Sequence, residues 1–489
     1  MIRALAFGRG RKCVALLLAL AMAAGVGVGA PGKASALSLS EEKELGSRFL
    51  GAIREHLPLV QDGEIVNYVN SVGNRLVQQV GTTSYQFQFF VIDDKVPNAF
   101  AVPGGYIFVY RGLVEMMASE GELAGVLAHE IAHVQAHHLE RRLKETTLVS
   151  LAAIAGIIAG VFLGMGTQGE GGTALAMGSM AGAQSYQLKY SRENEEEADR
   201  LGLRYLCAAG YPPRDMASVM RKLKQATWVS SSRTPSYLLT HPALGDRVEY
   251  LEDLAKKHNI TVAKPSCSTE QDFPLMLAAL VCEYGTTEDI MMRYEPGSGK
   301  GDCSCLYAMG RLRLKQAKVD EAIALLQSAA RQRPTSPFIL STLGAAYIQQ
   351  GKLAEAQKVL QSALLVDPSA PIVRYRLALV LKDLGRPEEA LENLRQIESL
   401  SPIFPDIDYN LGVLLGQVNN VGRAHLHLAR YYENTQDWNL AFFHYEKARA
   451  LNKDSVALIE ELDLKVKEME KRKKQVDTEK RQAASRKSR

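Results

Sequence analysis

Apolar residues recur at helical spacing between Glu41 and Val80, with Val66, Tyr68, Val69, Val72, Leu76 and Val80 on one side, so this stretch is expected to be helical. The period then changes. Tyr85-Gln86-Phe87-Gln88-Phe89 alternates apolar with polar and runs into Phe90-Val91-Ile92, which predicts a strand. Asn98-Ala99-Phe100-Ala101-Val102 predicts a second, short strand, Pro103-Gly104-Gly105 a turn, and Tyr106 to Tyr110 a returning third strand. Helical spacing resumes after Ser119-Glu120-Gly121-Glu122, where a serine and early acids suit a helix start, and continues through Leu123, Val126, Leu127, Ile131 and Val134. A further amphipathic stretch carries Leu201, Leu203 and Tyr205.

Two segments depart from these patterns. Residues 1–36 place Arg3, Arg9, Arg11 and Lys12 before an apolar run from Val14 to about Gly29, and Ala34-Ser35-Ala36 follows as a small-residue cleavage site, the layout of an export signal. No cysteine ends the apolar run, so a soluble exported chain cut near Ala36 is expected; an uncleaved anchor is the competing reading. The segment holds five of the 58 Lys and Arg residues and none of the 54 Asp and Glu, so the rest of the chain is close to neutral and carries no nucleic-acid footprint. The second segment, Leu148 to Met165, is apolar and, at about 1.5 Å per residue, nearly as long as a bilayer is thick. Its return run, Thr173 to Ala183, is short and rich in Gly and Ala.

The later half repeats. Pro334, Pro368 and Pro402 are 34 residues apart, and the same spacing relates Gly310 and Ala322 to Gly344 and Ala356, then to Ala378 and Ala390, with Tyr347 at an aromatic position. Small residues at this period mark tetratricopeptide repeats, in which paired helices approach closely. Leu411-Gly412 reads as a less regular unit; Leu428, Tyr432, Ala441, Tyr445 and Ala448 read as a last pair after an offset. Glu295 to Gly301 suits a linker, and the Lys- and Glu-rich run after Lys465 a solvated or frayed helix. Cys207, Cys267, Cys282, Cys303 and Cys305 follow the signal; an odd number cannot all pair within one chain, and Cys303-Ser304-Cys305 lacks the spacer of a metal or redox motif.

One motif declares a chemistry. His129-Glu130-Ile131-Ala132-His133 sets two imidazoles one helical turn apart, able to face a single metal ion, with a carboxylate beside the first. This is the core of a zinc peptidase site; an ordinary polar helix face is the bland alternative. His137 would lie roughly 12 Å beyond His129 on a straight helix, too far to share a metal, and His137-His138 is expected to be a polar helix end. A third ligand is sought among the acids of Glu193 to Asp199, where Glu195 and Asp199 share a helix face, so that one could bind metal and the other hold a ligating histidine.

The order of strand, Asn98-Ala99-Phe100-Ala101, Gly104-Gly105, HExxH and Ser191-Arg192-Glu193-Asn194-Glu195-Glu196-Glu197-Ala198-Asp199 resembles the zinc metallopeptidases related to HtpX and the CAAX prenyl protease. Within them it is most similar to the BepA type, which is periplasmic and carries tetratricopeptide repeats behind the protease. The resemblance implies an α+β gluzincin-type metallopeptidase domain, mostly helical with a small β-sheet, followed by an all-α repeat solenoid. Domains are expected at 37–265 for the peptidase, 266–302 for a connection, 303–455 for the repeats and 456–489 for a charged tail. One Zn²⁺ per chain would be held by His129, His133 and Glu195, with Asp199 in support, and Glu130 would serve as general base. Asn98, Ala99, Phe100 and Ala101 would form the edge strand to which a substrate adds. Thr240-His241-Pro242 and Arg247 match a further element of the family, which makes His241 a candidate regulatory fourth ligand.

If both halves of the metal site meet, the apolar chain between them must return to the side it left. A buried or membrane-facing hairpin over 147–184 is therefore expected, with a Gly-rich break at Gly164–Gly172 and peripheral membrane contact; true insertion, as in an integral-membrane protease, is the competing reading. Zinc-dependent proteolysis of unfolded or assembling envelope proteins follows from the resemblance. The competing function is a chaperone or assembly scaffold that acts through its repeats, on which a protein partner would dock, with the zinc site latent.

Overall fold

The computed structural model describes residues 39–139, 141, 190–229, 237, 241, 244–257, 272–294, 302–368, 370–400, 406–452 and 456–487. The export signal expected over 1–36, the apolar hairpin expected over 147–184, the linker at Glu295 to Gly301 and Cys267 lie outside them. No helix among the described residues is long and apolar enough to cross a membrane.

Helix α1 (Leu39–His56) and helix α2 (Gly63–Val77) lie on opposite faces of a three-stranded sheet. Asp62 starts α2 by accepting from the backbone N–H groups of Glu64 and Ile65 at 2.9 and 3.2 Å. The strands are β1 (Gln88–Ile92), β2 (Ala99–Val102) and β3 (Tyr106–Tyr110), in the order β1-β3-β2. β1 runs parallel to β3, while β2 and β3 form an antiparallel hairpin closed by Gly104 and Gly105, whose φ angles of +86° and +89° suit residues without a Cβ. Alternation divides the sheet as the period-two pattern requires: Phe90, Phe100 and Phe108 stack towards Leu45, Phe49 and Ile53 of α1, and Phe89, Val91, Ala101 and Val109 face the main core. The strand begins at Gln88, not at Tyr85, although Tyr85 and Phe87 are buried before it.

α2 is clamped to β1 by Asn70, whose side chain accepts from the Phe89 N–H at 3.1 Å and donates to the Phe89 carbonyl at 2.8 Å, as a neighbouring strand would. Gly73 permits the close approach, since a Cβ there would meet the Phe89 ring at 2.3 Å. The outer edge of β1 is covered: the Val60 N–H donates to the Val91 carbonyl and the Asp93 N–H to the Pro58 carbonyl, both at 2.8 Å. β2 is left as the other edge strand.

Helix α3 (Glu120–Gln135) carries the histidine motif and is buried on every side. Ser119 caps it by accepting from the Glu122 N–H, and Glu122 accepts in turn from the Ala118 N–H. Helices α4 (Arg192–Ala208), α5 (Pro213–Val229) and α6 (Leu244–Lys257) complete its surroundings, and α7 (Phe273–Tyr284) joins this core to the repeats. Gly202 lets α4 come against α3, because a Cβ there would lie 3.0 Å from the Ala128 carbonyl.

The repeats are helix pairs: α8 (Cys303–Lys315) with α9 (Val319–Gln332), α10 (Pro337–Gln349) with α11 (Leu353–Val366), α12 (Pro371–Asp383) with α13 (Pro387–Arg395), α14 (Asp406–Gln417) with α15 (Val421–Asn434), and α16 (Trp438–Leu451) with α17 (Val456–Lys487). Gly310, Gly344 and Gly412 each back onto a leucine of the paired helix, Leu326, Leu360 and Leu428, with a Cβ position 2.7 Å from it. The unit that begins at Leu411-Gly412 repeats this glycine–leucine contact. The tail expected to be solvated is corrected at its start: Val466 and Met469 of α17 are buried with Ala441 and Tyr445 of α16. The four described cysteines, Cys207, Cys282, Cys303 and Cys305, are free thiols.

The repeats are tied to α2 through one buried carboxylate. Glu64 accepts from Arg311 at 2.5 Å, Arg376 at 2.6 Å and the Tyr307 hydroxyl at 3.1 Å, which brings α8 and α12 to a single residue of the first half. Beside it, Arg311 holds Asp62 at 2.7 Å. Farther along, Arg54 reaches Asn434 and Gln436 reaches the Gly51 carbonyl, so the array also touches α1.

Glu64→Gln is expected to cost about 3 kcal/mol or more, as removing one partner of a buried ion cluster strands the others, and a chemical denaturation midpoint equal to wild type would refute the joint's role. A second expectation concerns α15 and α16, where the Nδ1 atoms of His425 and His444 are 2.8 Å apart. Burial and the neighbouring His425 push His444 down to about 4. A histidine whose pKa falls on folding is protonated first in the unfolded chain, so its contribution is full above the ordinary value of about 6.5 and is lost as pH falls from there towards 4. The unfolding midpoint of wild type should therefore drop more between pH 7 and pH 5 than that of His444→Asn.

Candidate metal centre

One turn of α3 separates His129 from His133, and their Nε2 atoms are 3.0 Å apart. Ser191 starts α4 by accepting from the Asn194 N–H at 3.2 Å, and Glu195 in the first turn projects towards the histidines. Its Oε1 lies 3.4 Å from His133 Nε2 and its Oε2 3.7 Å from His129 Nε2. His241 enters from a separate segment, with Nδ1 3.0 Å from Glu195 Oε1 and 3.4 Å from His129 Nε2. All four side chains are buried, and each offers a donor atom within 4.8 Å of the others.

These spacings fit a zinc ion. With metal–ligand bonds of about 2.0–2.2 Å in a tetrahedral arrangement, donor atoms lie about 3.3–3.6 Å apart, and the separations here, from 3.0 to 3.7 Å, bracket that range. The donor set of imidazoles and one carboxylate also suits zinc.

A second layer orients the first. His129 Nδ1 is 3.0 Å from Asp199 Oδ1, so a proton there leaves Nε2 as a lone pair facing the cluster. Arg247 donates to both Asp199 oxygens, at 2.7 and 2.8 Å, and to Glu195 Oε2. Burial alone would raise both carboxyl groups; Arg247 outweighs it and, with His241, holds Glu195 well below the usual carboxylate range, while Arg247 and His129 do the same for Asp199 more moderately. Burial pushes His133 well down, in favour of neutral imidazole. The aromatic ring of Tyr190 stacks on His133 at 4.1 Å and that of Tyr237 on His241 at 4.4 Å.

Glu130 faces the same space and is fully buried, with no hydrogen bond to either carboxylate oxygen among the described residues. His241 Nε2 is 3.6 Å from its Oε1. Burial raises its pKa despite the nearby histidines. Asn98 precedes β2, and its carbonyl accepts from the Tyr110 N–H. Ala99, Phe100 and Ala101 form the edge strand itself, and Ala101 lines a small cavity with Pro103, His133, His137 and Tyr190.

Of His137-His138, expected as a polar helix end, only His137 is exposed there; His138 is not. α3 stops at Gln135, and His137, with a φ of +52°, adopts a left-handed backbone just beyond it. His138 is thereby buried beneath the cluster, its Nδ1 2.9 Å from His133 Nδ1 and its Nε2 3.1 Å from Glu197. His137 lies 2.8 Å from the Tyr85 hydroxyl. Spacing along a straight helix gave no sign of this, and Tyr190, Glu197 and Tyr237 were equally missed.

Residues 66–255 match peptidase family M48, and residues 313–379 and 373–404 match tetratricopeptide repeats. This chain carries a peptidase family M48 domain followed by tetratricopeptide repeats. The M48 match includes Glu130 and all four residues of the cluster. Among curated relatives, the beta-barrel assembly-enhancing protease of Yersinia pestis is 29% identical over 311 residues, covering 62% of this chain and 63% of that protein. Its counterpart in Escherichia coli K12 is 29% identical over 308 residues, covering 62% of each. The mitochondrial metalloendopeptidase OMA1 of Schizosaccharomyces pombe is 29% identical over 210 residues, 42% of this chain and 57% of that one. The alignments thus span less than two thirds of these relatives' length.

Proposed function

We propose that this protein is a zinc-dependent endopeptidase of a bacterial cell envelope, and that unfolded or stalled envelope proteins, outer-membrane proteins among them, are its substrates. The observation that supports this most is the convergence of His129, His133 and Glu195 on one point with the Glu130 carboxylate, free of hydrogen bonds among the described residues, beside them. One zinc ion per chain would be held by those three residues. Zinc supplies Lewis acidity at such a site, acidifying water and polarising a carbonyl.

The chain's own groups do the rest. Glu130, its pKa raised by burial, takes the proton from the attacking water and later passes it to the leaving amine. Asp199 holds the His129 ring, and Arg247 ties Asp199 to Glu195, so the donors stay aligned without substrate. β2 offers its backbone to an extended substrate, with Asn98 to Ala101 as the pairing segment, which selects for unfolded chain more than for side chains. The names of the relatives, beta-barrel assembly-enhancing protease, favour envelope substrates, and a signal cleaved near Ala36 would deliver the protein to the periplasm.

His241 gives the site a guarded state. Sitting as a fourth donor, it would occupy the position that water needs. This favours a second reading, in which the repeats capture assembling proteins while the peptidase rests.

Glu130→Gln should keep its zinc and lose cleavage of an unfolded protein by at least ~100-fold, the scale of general-base catalysis; cleavage at the wild-type rate would overturn the assignment. His241→Ala should cleave faster than wild type if His241 closes the site. Capture of an unfolded protein by Glu130→Gln, with no cleavage by wild type or by His241→Ala, would favour the scaffold.

A further inference from the structure

We infer that His138 is a positioning residue for His133, with Glu197 fixing its tautomer: a histidine–histidine–carboxylate relay does for the second motif histidine what Asp199 does directly for the first. The inference rests on the zinc reading of the cluster and goes beyond it in naming what holds His133.

The protons can be placed one after another. His133 Nε2 points into the cluster, 3.0 Å from His129 Nε2 and 3.4 Å from Glu195. To offer a lone pair there, a neutral His133 must carry its proton on Nδ1. That Nδ1 faces His138 Nδ1 at 2.9 Å. The His133 N–H donates, so His138 Nδ1 accepts and carries its own proton on Nε2. His138 Nε2 in turn faces Glu197 Oε2 at 3.1 Å, and a carboxylate accepts that proton's hydrogen bond. The reverse assignment would aim a proton from His133 into the donor cluster and a His138 lone pair at a carboxylate. Both are repulsive, so one direction survives.

The relay is also held in place. His138 is fully buried, while Glu197 is half-exposed and brings the chain of contacts to the surface. Arg141 grips Glu197 at 3.0 Å and donates to the Ala136 carbonyl at 2.7 Å, where α3 has just ended. The left-handed turn at His137 delivers His138 to this spot. With Tyr190 stacked on one face of His133 and the relay at its Nδ1, the ring has little freedom to swing.

Partners of this kind typically change metal affinity by about 10–100-fold. The test is zinc affinity of the full-length protein by chelator competition, which needs no catalysis. His138→Leu should weaken zinc binding 10–100-fold. His138→Asn, whose side-chain oxygen can replace Nδ1 as acceptor, should recover most of it. Glu197→Gln can still accept and should stay within a few-fold of wild type, whereas Glu197→Lys removes the acceptor and should weaken binding as His138→Leu does. The Glu197 pair alters a half-exposed side chain and carries the test even if His138→Leu fails to fold. Wild-type affinity in folded His138→Leu or in Glu197→Lys, or equal losses in the Asn and Leu variants, would overturn the relay alone. A wild-type protein that takes no zinc would overturn the metal reading and the relay with it.

Discussion

Glu195 and Asp199 stand one helical turn apart, both buried, where two adjacent carboxylates would ordinarily repel and take up protons. Arg247 lies between them and donates to both, and this guanidinium makes the rest of the centre stable. With the charge balanced, Glu195 can turn an oxygen towards the histidines and Asp199 can hold the His129 ring. The same contact pins α6 to α4. Loss of Arg247 would therefore disturb ligand geometry and helix packing together.

A polar centre of this kind needs rigid walls. α3 is surrounded by apolar packing along its length, and its two neighbours are brought near by the absence of a side chain, at Gly202 against Ala128 and at Gly125 against Met216. The sheet adds an asymmetry with chemical meaning. β1 has its outer edge occupied by residues 58–60, which leaves β2, next to the histidine helix, as the other edge strand of the sheet. The site and its approach thus arise from one arrangement of helix and hairpin.

The repeats share that framework. Glu64 lies on α2, whose other contacts grip β1 through Asn70, so a shift of α8 or α12 would be felt at the sheet with few intermediaries. Where the array returns to α1, a cleft of about 830 Å³ is lined by Arg54, Asp62 and Tyr431 among others, and Arg54 and Gly51 of α1 bond to Asn434 and Gln436, so the array comes back against the first half.

What could be read in the chain alone was whatever repeats over a short distance. The strands near Phe89, Phe100 and Phe108, the helix start at Ser119, the HExxH spacing and the 34-residue period follow from local periods of two, 3.6 and a helix pair, and all of these appear in the fold. The solvated tail was misread at its start because order there resides in the packing of Val466 and Met469, not in residue types. The centre was legible only in part: His129, Glu130 and His133 by spacing, the choice of Glu195 and Asp199 among five acids only through resemblance. Tertiary structure decided which acid reaches the histidines, through the close approach at Gly202. It brought Arg247 between two carboxylates and, by a single left-handed residue at His137, moved His138 from an apparent helix end to the back of His133. Local periodicity is encoded by neighbours, whereas a buried polar centre is assembled by groups distant in sequence, each of which must find a partner once water is excluded.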